Sequence, residues 1–367
     1  MKKVLFLTNY ASPYRVHFFD ALSEHYDVTV LFSDRGEEQA IRDARWFVTG
    51  EGRFRQVQLT QKRGSLGGEN LCTDVIGWLK KPFDKIVICG YSSPTAMLAM
   101  AYLRLRRIPF YMEVDGGLIR EDSRAKYLFK KTLVSGATWW IGSGDYTTQY
   151  LVHYGAKPER VFTYPFSSLW ERDLLRQLPL EEEKLALRQK LSMEEKKIAL
   201  YVGRFDPLKG MDDLLEASPG LDRETGLYFI GGEPTEEHLR FCKDHGLSNV
   251  HFVGFRKKEA LRDYYLAADV LVLPTKSDVW GLVINEAMAC GLPVITTDKC
   301  VAGLELVKDG KNGYIVPVDD RDALVRRING LLAQDYRKMG ENALETIRPY
   351  TIENMVKAHV EIFESGR

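Results

Sequence analysis

The chain has little of what marks secreted scaffolds, metal centres or nucleic-acid binders. Its five cysteines (Cys72, Cys89, Cys242, Cys290 and Cys300) are odd in number, scattered, and never spaced Cys-x-x-Cys. That pattern argues against a disulfide framework and a thiolate zinc site, and it fits a reducing compartment. Most of these cysteines sit in apolar runs, as inert core thiols do. A net charge is also missing: 51 Lys and Arg balance 51 Asp and Glu. No overall positive field therefore favours nucleic acid as a partner. Long hydrophobic runs are lacking too. The apolar run Val4 to Leu7, after Met1-Lys2-Lys3, stops at Thr8-Asn9-Tyr10. It is too short for the apolar region of a signal peptide and reads as a first buried strand. No stretch approaches the roughly 20 apolar residues of a transmembrane helix. These absences predict a cytoplasmic protein, at most peripheral at the inner face of the membrane.

What the sequence does contain is alternation between short β-branched runs and amphipathic helical patterns. In the first half the strands read Val4–Thr8, Val28–Phe32, Arg55–Leu59, Lys85–Cys89, Phe110–Val114, Thr138–Gly142 and Val161–Tyr164. In the second half they read Ile198–Val202, Leu227–Ile230, Val250–Val253, Val270–Leu273, Val294–Thr296 and Tyr314–Val316. Near-continuous apolar strands separated by helices imply parallel sheets covered on both faces. With 367 residues, two such series predict an α/β protein of two Rossmann-like, doubly wound domains. The expected divisions are a first domain over 1–170, a second over 171–348, and a terminal helix over 349–367 packing back towards the first. The charged stretch Leu180–Lys190 reads as a solvated helix near the start of the second domain.

Ligands of open α/β sheets sit beyond the carboxyl ends of the strands, and two motifs lie there. The first is Gly203-Arg204-Phe205-Asp206-Pro207-Leu208-Lys209-Gly210, after the strand Ile198–Val202. Gly203 allows a sharp turn, Arg204 can fork onto phosphate oxygens, and Lys209 brings a point charge to the same place. The second follows the strand Val270–Leu273, running from Ser277-Asp278-Val279-Trp280 through Gly281, Leu282, Val283 and Glu286 to Gly291. A helix is predicted from about Gly281 to Gly291, and its first turn offers amides and a positive dipole end to a diphosphate. Glycine at 281 removes a Cβ that would block close approach. Alone, Asp278 would be an ordinary loop acid or cap and Glu286 a helix-face charge. Beside two cations and an anion-binding helix start, both read as ligand contacts.

With these residues in view, the chain resembles the retaining glycosyltransferase family 4, also called group 1, with the GT-B fold. The segments that carry the resemblance are G-R-F-D-P-L-K-G, S-D-V-W-G-L-V-I-N-E-A-M-A-C-G-L-P-V-I and A-G-L-E-L-V-K-D-G-K-N-G-Y-I-V-P, within residues 196 to 335. The resemblance implies that Arg204 and Lys209 neutralise the donor diphosphate, that Glu286 binds the donor ribose, and that Asp278 contacts the transferred sugar. The family usually carries Glu at the Asp278 position, so the reach here is one methylene shorter. Gly232, after the strand Leu227–Ile230, and Phe255, after Val253-Gly254, resemble further donor-side loops; as plain strand-to-helix turns they read equally well.

The N-terminal half resembles the family more loosely, and the resemblance implies an acceptor-binding domain over 1–170 and a nucleotide-sugar-binding domain over 171–348. Asn9-Tyr10-Ala11-Ser12-Pro13-Tyr14-Arg15 stands where many members have a glycine-rich loop. Tyr14 and Arg15 are acceptor-side candidates, or an ordinary helix start. Glu113-Val114-Asp115-Gly116-Gly117 ends the strand Phe110–Val114, and many members carry His where Asp115 stands. Asp115 could bind a sugar hydroxyl or take the acceptor proton as general base, and Gly116 lies beside it; a turn Asp before two glycines is the alternative. Arg124, Lys126, Lys130 and Lys131 interleave with Tyr127, Leu128, Phe129 and Leu133. That stretch reads first as a surface helix and alternatively as a contact with anionic lipid.

The resemblance implies retaining, metal-independent, hexosyltransferase-type transfer from a nucleotide-diphosphate sugar of UDP or GDP type to a hydroxyl. The acceptor would be a saccharide or lipid-linked molecule in surface polysaccharide or glycolipid synthesis. No cofactor and no metal ligand is assigned. Two rival readings are a GT-B nucleotide-sugar epimerase and a non-catalytic nucleotide-sugar-binding subunit.

Overall fold

A computed structural model describes residues 1–34, 52–60, 62–66 and 69–365. The chain divides into two compact units, one of residues 1–168 with 350–367 and the other of residues 169–349.

The first unit contains β1 (Lys3–Thr8), β2 (Asp27–Phe32), β3 (Arg55–Gln58), β4 (Lys62–Leu66), β5 (Glu69–Leu71), β6 (Lys85–Cys89), β7 (Tyr111–Val114), β8 (Trp139–Gly142) and β9 (Val161–Thr163). Seven of these form one sheet in the order β3-β2-β1-β6-β7-β8-β9, and every neighbouring pair is parallel. Parallel neighbours need crossovers. Helices Pro13–Leu22, Pro94–Leu105, Arg124–Val134 and Asp145–His153 supply them. Central strands are accordingly apolar along their whole length: Val4, Leu5 and Phe6 are each fully buried. Each such large side chain contributes roughly 1.5–3 kcal/mol relative to exposure.

The second unit repeats the plan with β10 (Lys197–Val202), β11 (Thr225–Ile230), β12 (Val250–Phe252), β13 (Val270–Leu273), β14 (Val294–Thr297) and β15 (Gly313–Val316). Their order is β12-β11-β10-β13-β14-β15, again parallel throughout. The chain moves outward from β10 to β12 and then returns to the other side of β10 with β13. That reversal opens a crevice at the carboxyl ends of β10 and β13, where doubly wound sheets bind ligands. In the first unit the reversal falls between β1 and β6.

Strand positions agree with the sequence reading to within a residue or two. The antiparallel pair of β4 and β5 was not anticipated, because Lys62-Arg63-Gly64-Ser65-Leu66 has no apolar alternation to announce a strand. A second difference concerns the charged stretch Leu180–Lys190. It forms the helix Glu181–Lys190, exposed over Glu181, Glu182, Glu183 and Lys190 as expected, but with Lys184 and Arg188 buried. Both pair with Asp269, just ahead of β13, with Arg188 Nη2 at 2.7 Å from Asp269 Oδ2. Arg188 Nε also donates to the Ala267 carbonyl at 2.9 Å. A buried acid needs such partners, so Lys184 and Arg188 turn inward while the other charges of this helix stay exposed.

The last helix, Ile352–Glu364, belongs to the first unit. Its buried face carries Met355, His359 and Phe363, and the His359 ring lies 4.6 Å from that of Phe18 on the helix Pro13–Leu22. The chain thus leaves its first domain after Ser168 and returns to it at Tyr350.

Candidate functional site

In the second unit, the loops after β10 and β13 sit side by side because their strands do. They are stitched together by backbone and side chain: Lys276 N donates to the Leu208 carbonyl at 2.8 Å, and Thr275 Oγ1 to the same oxygen at 2.7 Å. Asp206 caps the single turn Pro207–Lys209, its Oδ1 accepting from Leu208 N at 2.9 Å. From below, the buried Tyr201 hydroxyl donates to the Arg204 carbonyl at 2.9 Å. Gly210 closes the turn with φ of 69°, and a Cβ there would stand 2.0 Å from the Pro274 carbonyl oxygen. Only glycine allows this approach of the two loops.

This frame brings Arg204, Lys209 and Asp278 into one place. Lys209 Nζ lies 2.5 Å from Asp278 Oδ2. Arg204 Nη2 lies 2.9 Å from Asp206 Oδ2, an ionic contact without hydrogen-bond alignment. Each cation therefore has a carboxylate at hand, and all four side chains keep some exposure. Asp278 is anchored by its backbone as well, Asp278 N donating to the Lys299 carbonyl at 3.0 Å.

The helix after Trp280 spans Leu282–Ala289. Gly281 stands before it with φ of 102°, and a Cβ there would meet Cys300 Sγ at 2.8 Å. The glycine thus serves the backbone conformation and the thiol beneath it. Burial pushes the Cys300 thiol up to about 12, with Asp278 adding to the shift, so it is a packing group and not a nucleophile. Trp280 is buried and its Nε1 donates to Asn285 Oδ1 at 2.8 Å, which locks the helix start. The amides of Leu282 and Val283 belong to the first turn, where no helical carbonyl precedes them. Glu286, one turn further on, accepts from the Tyr265 hydroxyl at 3.0 Å. Tyr265 is buried on the helix Lys258–Ala267.

Of the other donor-side residues, Gly203 donates its amide to the Ile230 carbonyl at 2.9 Å, so β10 and β11 stay paired into their loops. Gly232 lies against the Phe205 ring, and Phe255 follows Gly254, whose carbonyl accepts from Gly231 N at 3.0 Å. The structure thus brings Gly203, Arg204, Lys209, Gly232, Asp278, Gly281, Leu282, Val283 and Glu286 to the carboxyl-end loops of one sheet. Phe255 lies on the loop after its outermost strand, β12.

The first unit carries a second cluster at the ends of β1 and β7. Arg15, on the helix that follows β1, is 3% exposed. It pairs through Nη1 with Glu113 Oε1 and through Nη2 with Asp115 Oδ1. Tyr164 donates its hydroxyl to Asp115 Oδ1 at 2.9 Å, and His359 Nε2 lies 3.1 Å from Glu113 Oε2. Burial pushes the Asp115 carboxyl above the usual range; Arg15 opposes this and Glu113 adds to it. Burial also works against ionisation of Glu113, but Arg15 and His359 outweigh it and hold that carboxyl below the usual range. Tyr14, beside them, is pushed up to about 12 by burial and then by Asp115. Arg15 is therefore bound to carboxylates and not presented to a ligand. Gly116 is buried directly after Asp115.

Sequence reasoning passed over Glu113, Tyr164, Tyr265 and His359. Glu113 had a usable signal, since an acid inside an otherwise apolar strand must find a buried partner. The other three join the sites only through the fold.

The basic stretch forms the helix Arg124–Val134. Leu128 and Phe129 are more than half exposed, while Lys130 Nζ pairs with Asp122 Oδ2 at 2.7 Å. No helix among the described residues is long and apolar enough to cross a membrane.

Residues 183–346 match the family model described as Glycosyl transferases group 1. Among curated proteins, the chain is 34% identical over 290 residues to D-inositol 3-phosphate glycosyltransferase 2 of Catenulispora acidiphila, covering 74% of this chain and 63% of that protein. It is 33% identical over 171 residues to the GDP-mannose-dependent alpha-(1-6)-phosphatidylinositol monomannoside mannosyltransferase of Mycolicibacterium smegmatis, covering 43% of this chain and 44% of that one. The matched stretch thus spans less than two thirds of these relatives' length. Among solved structures, Anabaena Alr3699/HepE in complex with UDP superposes with a TM-score of 0.78 at 19% identity over all of both chains. Sucrose-phosphate synthase of Thermosynechococcus elongatus does so with a TM-score of 0.74 at 20% identity, over 100% of this chain and 99% of that one. Likenesses at such identities show the fold, which is GT-B.

Proposed function

We propose, on the premise that residues 183–346 make this chain a member of the group 1 glycosyltransferases, that it transfers a sugar from a nucleoside diphosphate sugar to a hydroxyl group. The observation that carries this reading is the meeting of Arg204, Lys209, Asp278 and the first turn of Leu282–Ala289 beside the switch point between β10 and β13. Two cations and a helix start suit a diphosphate, whose charge grows as the sugar departs. Asp206 and Asp278 lie against the two cations, and an arriving diphosphate takes over that pairing. Glu286, oriented by Tyr265, supplies a carboxylate for the donor's ribose diol. Asp278 stays beside Lys209, where it reaches the transferred sugar. No residue here is assigned to a metal, and the leaving group's charge falls to Arg204, Lys209 and the helix amides. Gly232 and Phe255 complete the donor side.

Asp115 takes the part of the group that meets a sugar or acceptor hydroxyl, with Gly116 and Tyr14 beside it. Arg15 orients Asp115 and does not itself contact the acceptor. Retention of configuration, a hexose as transferred sugar, a UDP or GDP donor, and a saccharide or lipid-linked acceptor of surface polysaccharide or glycolipid synthesis complete the reading. The matched relative that uses GDP-mannose and a phosphatidylinositol mannoside, and the structural neighbour that holds UDP, support it. Exposed Leu128 and Phe129 beside Lys126 and Lys131 support a peripheral contact with an anionic membrane surface. Failure to co-sediment with anionic vesicles at low salt withdraws that contact.

The test is a thermal-shift screen of UDP- and GDP-sugars, since a ligand of the folded state raises the unfolding temperature. Incubation of the stabilising donor with saccharide and lipid-linked acceptors follows. A glycosylated acceptor supports the proposal. An epimer of the donor formed without acceptor, or binding without any turnover, overturns it.

A further inference from the structure

Arg15, Glu113, Asp115 and His359 come from the helix after β1, from β7, from the loop after β7, and from the last helix of the chain. Arg15, Glu113 and His359 are 3%, 0% and 0% exposed, whereas the Asp115 side chain keeps 22%. The ring of His359 is informative. Its Nδ1 lies 2.8 Å from the Met355 carbonyl oxygen, which can only accept. Its Nε2 lies 3.1 Å from Glu113 Oε2, and that carboxylate already receives Arg15 on its other oxygen. Both ring nitrogens thus face acceptors, and only a ring protonated on both satisfies them. Arg15 and that imidazolium then balance Glu113 and Asp115, two positive charges against two negative. Without the second ring proton the cluster holds one uncompensated negative charge in a buried place, which is costly.

We infer that His359 is a positioning residue: its imidazolium neutralises Glu113, which leaves Arg15 to hold and orient an ionised Asp115. The inference rests on the reading of Asp115 given above. The last helix thereby becomes part of the Asp115 site through the buried His359. Other groups facing Asp115 are Tyr14 and Tyr164, both kept neutral by burial, and Cys89 at the end of β6, whose thiol burial raises well above its usual range. Around His359 lie the rings of Phe18, Tyr164 and Phe363, none of which carries charge. His359 is accordingly the group that completes the charge balance.

The chain has seven histidines, so their ring nitrogens can be assigned by NMR in the full-length protein. At pH 7.5 the His359 ring should show both nitrogens protonated; a neutral ring overturns the inference. Transfer kinetics give the second measurement. His359→Gln leaves Glu113 uncompensated, and Asp115, which takes a proton more readily than Glu113, is then protonated. The acid limb of the pH profile should move to higher pH, and kcat should fall between about tenfold and a hundredfold, with KM for the donor unchanged. The double variant E113Q/H359Q removes both charges together and should return the limb and most of kcat. An unshifted limb in His359→Gln, or a double variant no better than the single one, also overturns the inference. If His359→Gln does not fold, the double variant and the ring nitrogens still decide. Should the chain transfer no sugar at all, the function proposed above fails, and the NMR measurement still judges the network by itself.

Discussion

Lys209 Nζ and Asp278 Oδ2 lie 2.5 Å apart, although the residues are separated by 69 positions in the chain. The pair occupies the place assigned to the donor diphosphate, and the carboxylate competes with phosphate for the ammonium. Lys209→Ala should lower kcat by about a hundredfold to a thousandfold, the usual loss for one preorganised charge-stabilising group. Asp278→Asn should do something different: tighten binding of UDP or GDP by roughly fivefold, about 1 kcal/mol. Calorimetric titration with the nucleotide checks the second outcome, and weaker binding by Asp278→Asn contradicts the competition.

Tyr265 donates to Glu286 from a buried position. Tyr265→Phe keeps the ring and removes one hydrogen bond to a charged group, worth roughly 1.5–3 kcal/mol. The expected result is a rise of about tenfold in KM for the donor with kcat little changed, because the bond orients a binding group. Steady-state kinetics with varied donor decide it; an unchanged KM removes Tyr265 from the site.

The two acids held by Arg15 have opposite pH signatures. Glu113 has a lowered folded-state pKa, so its contribution to stability is present above its unfolded value and is lost as pH falls through the folded one. Asp115 has a raised pKa, so its contribution is present below its unfolded value and is lost as pH rises through the folded one. At neutral pH, Glu113→Gln should therefore lower the urea midpoint of unfolding, and the difference should shrink below about pH 4. Urea titrations at pH 7 and pH 4 check it, and a midpoint unchanged at pH 7 contradicts it.

Asp269 holds Lys184 and Arg188 while 1% exposed, and it also accepts from Ile198 N at 2.6 Å. Asp269→Asn leaves two buried cations without their anion and should destabilise the fold by about 3–5 kcal/mol. A change of under 1 kcal/mol in denaturant unfolding would show that the pairing is incidental.

The sheets were legible because parallel strands buried on both faces must be apolar throughout, as Val270–Leu273 is, and that pattern survives without tertiary knowledge. The motifs after β10 and β13 were legible because they are contiguous runs of glycine, cations and a helix start directly after apolar strands. The helix Glu181–Lys190 was recognised as a helix, yet the burial of Lys184 and Arg188 on it was not. Helix period depends on local spacing, whereas burial of Lys184 depends on an acid 85 residues away. Arg15 was singled out for a ligand, but the fold gives its guanidinium to Glu113 and Asp115.

By itself, then, the sequence determined the alternation of elements, the strand ends that carry chemistry, and the family they resemble, because each is written in contiguous residues. The tertiary structure decided which charges meet: Lys209 with Asp278, Arg15 with two carboxylates, and His359 with Glu113 across 246 positions. Pairing of buried charges is fixed by where strands and returning helices come to rest, and no local pattern encodes that distance.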